Sequence, residues 1–180
     1  MTLPGRTPGG ELGAPYDTMQ PPDAAVALRS LPRRWRTALR LDDEDLATRQ
    51  PDAGTWSALE HAAHVRGALE RAARQLRSVR GGGQPELMGA GRAEEPWQGH
   101  DPAEGLAAVL YGLTAAAEAA AAEVEAAPGS AWVRTGTLDG HTVDLLWLAR
   151  HAVSEGVEHL TAAESALAAA RAAANRSRGA

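Results

Sequence analysis

Apolar residues recur at helical spacing in four stretches of the chain, separated by segments rich in Gly, Pro and acids. The first stretch covers residues 22–41, with Leu28, Leu31, Trp35, Leu39 and Leu41 as its stripe. Pro32 lies inside it, so the pattern predicts a kink there or a restart with Ser30 as N-cap. In the second, residues 57–80, Val65, Leu69, Ala72, Leu76 and Val79 share one face, and Ser57 with Glu60 forms a capping box ahead of them. The third starts with Asp101 as N-cap, Pro102 at N1 and Glu104 at N3, and runs to about Ala127, where Pro128-Gly129 stops it. The fourth begins near Thr142, carries Asp144 in its first turn and continues to about Ala170. Four acids at 42–45 open a loop to Thr55, and a polar, Gly-rich loop follows over residues 81–100. A loop of that length in a small domain points to a lid, a pocket wall or a mobile segment. The run TGTLDGH reads as turn-rich, and no strand pair is predicted. Residues 1–20 have Pro-Gly pairs and no apolar period, so they are expected to form a disordered tail. Residues 21–171 are then one all-α domain, a four-helix bundle of up-and-down or crossover type, and 172–180 a frayed end.

Composition narrows the chemistry. Of 180 residues 40 are Ala, which favours helix, and there is no Phe, Cys or Lys. Cysteine-ligated metal sites, disulfides and Cys or Lys nucleophiles are therefore excluded. No uncharged apolar run reaches the ~18 residues of a membrane span, and the first residues lack the apolar region of a secretory signal. With five Trp as the main large side chains, Trp35 and Trp147 are expected in the core, and Trp56 as an anchor at the head of the second helix. Trp97 and Trp132 fall beside loops, where they can line a pocket.

The net charge of −5 argues against a nucleic-acid partner, although it is unevenly spread. Residues 21–80 hold 11 Arg against 8 acids, and residues 81–180 hold 6 Arg against 13 acids. Attraction between a basic and an acidic half of one bundle accounts for that division.

Four of the six His residues lie in helices: His61 and His64 in the second, His151 and His159 in the fourth. At about 100° per residue, His151, Ser154, Glu155 and Glu158 share one arc of the fourth helix, and His159 falls just outside it. Imidazoles and carboxylates on facing helices are the usual means of building a metal site in a bundle. Solvated His–Glu pairs at i,i+4 spacing, His151–Glu155 and Glu155–His159, are the competing explanation. Periodicity turns His61 inward more than His64.

Three segments together resemble the DinB/YfiT four-helix bundles. GTWSALEHAAHVRGALERAARQL is similar to the family's second helix, with Trp56, Ser57, Glu60 and His64 at its marker positions. Pro96-Trp97 resembles the element before the third helix. WVRTGTLDGHTVDLLWLARHAVSEGVEHL resembles the approach to the fourth helix and its body in actinobacterial members, through Trp132, Arg134-Thr135-Gly136, Asp139-Gly140, Thr142-Val143 and Arg150-His151-Ala152-Val153. The resemblance implies a bacterial cytoplasmic protein and, in the family, a metal held by one His on the second helix and an H-x-x-x-H pair on the fourth. His64 matches the first. The pair matches Ser154 and Glu158, so two imidazoles are replaced, one of them by a residue that ligates poorly at neutral pH.

That departure favours a metal-free protein. The preferred expectation is a small-molecule pocket at the site of the family's metal centre, with acid/base chemistry on a small organic substrate. His64, Glu158 and His151 are its catalytic candidates, and Ser154, Glu155, Trp97 and Trp147 its ligand contacts. The enzyme would be a divergent transferase, isomerase or hydrolase. The alternatives are a non-catalytic bundle that binds a ligand or partner, and a metal-dependent, mycothiol-type thiol transferase with zinc or nickel on His64, Glu158 and His151. Neither a nucleic acid nor a membrane is expected as a partner. A homodimer is the expected assembly, and Gly156 either permits close helix approach there or opens space beside Glu158.

Overall fold

In the computed structural model, residues 8–88 and 104–178 are described. Four long helices form the body: α1 (Pro21–Ala38), α3 (Ala58–Gly81), α4 (Leu106–Glu125) and α5 (Leu145–Arg178), with a one-turn α2 (Glu44–Ala47) in the first connection. α1 and α3 each pack against both α4 and α5 and lie on opposite corners of the bundle. Side-chain contacts fix the directions. His61 and His64 of α3 meet His159 and Glu155 of α5, so these two helices are antiparallel. Arg66 bonds Glu104 and Arg77 bonds Glu123, so α3 and α4 are parallel. The end of α3 and the start of α4 therefore lie at opposite ends of the bundle. This topology demands the long 81–105 connection whatever else that connection does. The expectation of a lid or pocket wall at 81–100 falls largely outside the described residues.

Local rules account for most boundaries. The Ser57 hydroxyl accepts from the Glu60 amide at 3.1 Å while the Ser57 amide donates to Glu60 Oε2 at 2.6 Å, the capping box read from the sequence. α1 runs unbroken through Pro32. Ser30 does not restart it, and its hydroxyl donates instead to the Ala27 carbonyl at 2.7 Å. Buried Leu28, Leu31 and Trp35 hold the helix together where the proline removes one donor. α1 ends at Ala38, which leaves Leu39 buried and Leu41 exposed, so Leu41 does not belong to the stripe. α4 begins at Leu106, whose amide donates to Glu44 Oε1 of α2 at 2.8 Å. A carboxylate from a distant segment thus caps this helix, and Asp101 and Pro102 lie outside the described residues.

Three elements differ from the sequence reading. A small sheet forms from β1 (Glu86–Leu87), parallel to β2 (Thr135–Leu138), which is antiparallel to β3 (His141–Asp144). Asp139 and Gly140, both at positive φ, make its hairpin turn. α5 accordingly starts at Leu145, where Asp144 Oδ1 accepts from the Trp147 amide at 2.7 Å as an N-cap. Residues 8–20 are not a free tail. Leu12 is buried, the Trp147 indole donates to the Gly10 carbonyl at 2.8 Å, and Arg150 donates to the Met19 carbonyl at 2.9 Å. At the other end, α5 remains helical to Arg178, carried by the helix propensity of its Ala-rich last turns.

The core is thin-walled, as the alanine content requires. Among the described residues Trp35 is the one fully buried Trp, and Leu, Ala and Val fill the remainder. Gly156 faces α1, where a β-carbon would stand 2.6 Å from Leu31 Cδ1. This glycine brings α5 against α1 within the chain. The charge division is also used internally: Arg29 of α1 bonds Glu118 and Glu125 of α4, and Arg77 and Arg80 of α3 grip the buried Glu123.

Candidate functional site

α3 and α5 run antiparallel, so residues one turn apart on each face each other across the seam between them. Near the N-terminal end of α3 this seam carries a cluster of aromatic and titratable groups. His64 Nε2 lies 3.0 Å from Glu155 Oε1, and the second oxygen of Glu155 faces His151 Nε2 at 3.5 Å. One turn away, His61 Nδ1 and His159 Nδ1 are 2.9 Å apart. Two nitrogens at that distance share one proton, so one ring donates its N–H to the lone pair of the other. The His64 and His159 rings are 4.4 Å apart, and Trp56 covers His61, His64 and His159 with centroid distances of 5.2, 5.0 and 5.7 Å. Trp56 reaches them because it stands directly before Ser57, the N-cap of α3.

Burial sets the protonation states. The His64 and Glu155 side chains keep only 13% and 19% of their surface exposed. Burial, reinforced by neighbouring imidazoles, pulls His61 and His159 down to about 4. Burial on its own would raise Glu155, but the hydrogen bond from His64 and the attraction of the surrounding imidazoles hold it at about 2. Around neutral pH, His61 and His159 are therefore uncharged and Glu155 is ionised. These are the forms in which imidazole and carboxylate ligate a metal.

One donor atom each from His64, Glu155 and His159 lie within 4.8 Å of one another. Donors bound at ~2.1 Å to a tetrahedral ion stand about 3.4 Å apart, so side-chain rotation alone brings these onto one cation. Two imidazoles and a carboxylate are a known donor set for catalytic zinc. The residues therefore fit a divalent metal. The His61–His159 bond supplies the outer hydrogen bond that orients a ligating imidazole.

Among the sequence candidates, His64 and Glu155 stand in this cluster, and His151 touches it through Glu155. Ser154 and Glu158 do not form the pair that faces His64. The Ser154 hydroxyl, fully buried, donates to Glu158 Oε1 at 2.7 Å, although Glu158 still raises the proton affinity of His159 from nearby. The residues that do face His64 are 155 and 159, one position further along. Trp147, expected in the core, is half-exposed and stacks on His151 at 4.7 Å with planes 15° apart. Trp97 lies outside the described residues. His61, His159 and Trp56, to which the sequence reading gave no role in the site, belong to it as well. The signal that carries this register is His151-x-x-x-Glu155-x-x-x-His159, the i,i+4 pairs read from sequence as solvated, a four-residue repeat whose line drifts about 40° per step around the helix. The arc drawn through Ser154 and Glu158 cut that line off. A surface cavity of about 560 Å3 lies elsewhere, between the end of α1 and the start of α4, lined by Arg36, Leu39, Arg40, Leu110 and Tyr111 among others.

Comparison with known proteins agrees with this architecture. A structure described as "YfiT from Bacillus subtilis is a probable metal-dependent hydrolase with an unusual four-helix bundle topology" superposes with a TM-score of 0.65. The match covers 86% of this chain and 87% of that one, at 12% sequence identity, and shows a shared fold. A search of curated proteins gave no match. The family model of the DinB superfamily matches residues 27–163, from the first turns of α1 well into α5. The chain is thus a member of the DinB superfamily.

Proposed function

We propose that the protein is a metal-dependent hydrolase of a small organic substrate, with the metal on His64, Glu155 and His159. The convergence of these three side chains on one point is the observation that carries the reading. The metal-free preference rested on aligning the family's pair with Ser154 and Glu158. With Glu155 and His159 opposite His64, two imidazoles and a carboxylate remain, and the reason for that preference is gone. The described function of YfiT gives the reaction type its support.

A divalent cation bound there supplies Lewis-acid polarisation of the substrate and an activated water. The chain's own residues do the rest. His61 fixes the tautomer and tilt of His159 through the Nδ1–Nδ1 hydrogen bond. His151 engages the outer oxygen of Glu155 and so limits how far that carboxylate can swing. Trp56 roofs the three imidazoles and keeps bulk water off them. The half-buried Glu158 and His151 flank the cluster as further groups able to accept or return a proton.

The test is metal analysis of protein purified without a polyhistidine tag. One equivalent of zinc, nickel or iron is expected. A ligand bound at a hundred times its Kd adds about 2.7 kcal/mol. At roughly 2–4 °C per kcal/mol in a chain of this size, saturating zinc raises Tm by about 5–11 °C. Glu155→Ala and His159→Ala abolish that rise, and Ser154→Ala and Glu158→Gln retain it. If the wild type carries no metal and its Tm ignores zinc, His64 and Glu155 are a hydrogen-bonded acid/base pair and the metal reading is wrong.

A further inference from the structure

Arg71 lies seven residues after His64, so it falls on the same face of α3 about 10 Å further along the axis. Helical side chains lean towards the N-terminus of their helix, and this direction carries the guanidinium back towards His64. It comes close enough to feel the charge of Glu155 directly. Yet among the described residues it makes no hydrogen bond and no ion pair, and both oxygens of Glu155 face imidazoles.

Other arginines on this protein behave differently. Arg29, Arg66, Arg77, Arg80 and Arg171 each bond a carboxylate, Arg134 and Arg150 bond main-chain carbonyls, and Arg33, Arg34 and Arg74 are exposed to water. Arg71 alone among the described residues is half-buried with none of its five donors engaged. A guanidinium taken partly out of water without a partner is unfavourable, and burial pulls its proton affinity below the usual arginine value. Its planar fork suits an oxyanion, which it can bind with two parallel hydrogen bonds.

We propose that Arg71 is the anion anchor of the site: the substrate is a small organic anion whose carboxylate or phosphate pairs with Arg71 while its reacting bond lies against His64, Glu155 and His159. The proposal rests on the hydrolase reading for the second half of that statement only. An anchor about two helical turns from the cluster also fixes size, since the anionic group and the reacting bond must be separated by a few bonds.

Calorimetric titration of succinate, inorganic phosphate and the neutral analogue succinamide into metal-free and zinc-loaded protein tests this. Succinate or phosphate binds the metal-free wild type and succinamide does not. The preference between the two anions tells which oxyanion the site takes. Arg71→Met weakens binding at least tenfold, Arg71→Lys falls between, and both variants keep the wild-type helical spectrum and zinc stoichiometry. Equal binding by wild type and Arg71→Met overturns the proposal, as does failure of both anions to bind the wild type in either form. If zinc does not bind but anion binding still depends on Arg71, the metal reading fails and the anchor stands.

Discussion

Gly156→Ala isolates the packing that brings α5, and with it Glu155 and His159, to its place. Two effects oppose each other. Alanine is a better helix former than glycine by about 1 kcal/mol, so propensity alone predicts stabilisation. The added β-carbon, however, would stand 2.6 Å from Leu31 Cδ1 and 3.3 Å from Cδ2, where carbon atoms normally rest about 3.5–4.0 Å apart. Leu31 is fully buried, with 0% of its surface exposed, so it cannot turn away into solvent. Overpacking of this kind costs about 1–3 kcal/mol. The sum is a destabilisation of up to about 2 kcal/mol, or a Tm lower by up to roughly 8 °C. Thermal unfolding by circular dichroism reads it. The reasoning also fixes the sign in a second background: in Leu31→Ala the obstructing atoms are gone, and adding Gly156→Ala should then raise stability by about 1 kcal/mol. A rise in Tm from Gly156→Ala alone, or the same effect in both backgrounds, would refute the contact with Leu31 as the reason for this glycine.

Three further outcomes are expected. His61 and His159 bind protons less readily folded than unfolded, about 4 against 6.5, so the unfolded chain takes up more protons between those values. Metal-free protein therefore has their full contribution above pH 6.5 and loses it progressively as pH falls towards 4. His61→Asn flattens this decline in a Tm-against-pH series, and an unchanged profile contradicts the burial assigned to the pair. Glu123→Ala strips the buried carboxylate from Arg77 and Arg80 and should cost about 1–3 kcal/mol in urea unfolding, with zinc binding untouched. Asp144→Ala removes the cap of α5 at about 1 kcal/mol, and Asp144→Asn retains most of it.

Some of the site was visible in the sequence, and its register was not. Helix periodicity placed His64 and the 151–159 segment on facing helices, because a stripe at 3.6-residue spacing fixes which residues can meet. It could not choose between 154/158 and 155/159. These pairs differ by 100° of helix rotation, and both have i,i+4 spacing. The rotation of α5 is decided by what it packs against: Gly156 against Leu31 on one side and buried Ser154 on another. The same applies to His61, which periodicity turned inward and which does reach the seam, although its partner His159 lies on another helix.

The capping box at Ser57, the four helices, the thin alanine core and the absence of any cysteine ligand followed from the residues themselves, since each depends on local propensity or simple inventory. The parallel run of α3 and α4, the cap lent by Glu44, the hairpin closed by Asp139-Gly140 and the docking of residues 8–20 came only with the tertiary structure. Each joins segments far apart in the chain, and no local pattern carries such a contact. The meeting of His64, Glu155 and His159 is the same kind of fact. The sequence supplies the donors, and the packing of α5 against α1 and α3 selects which of them share a point.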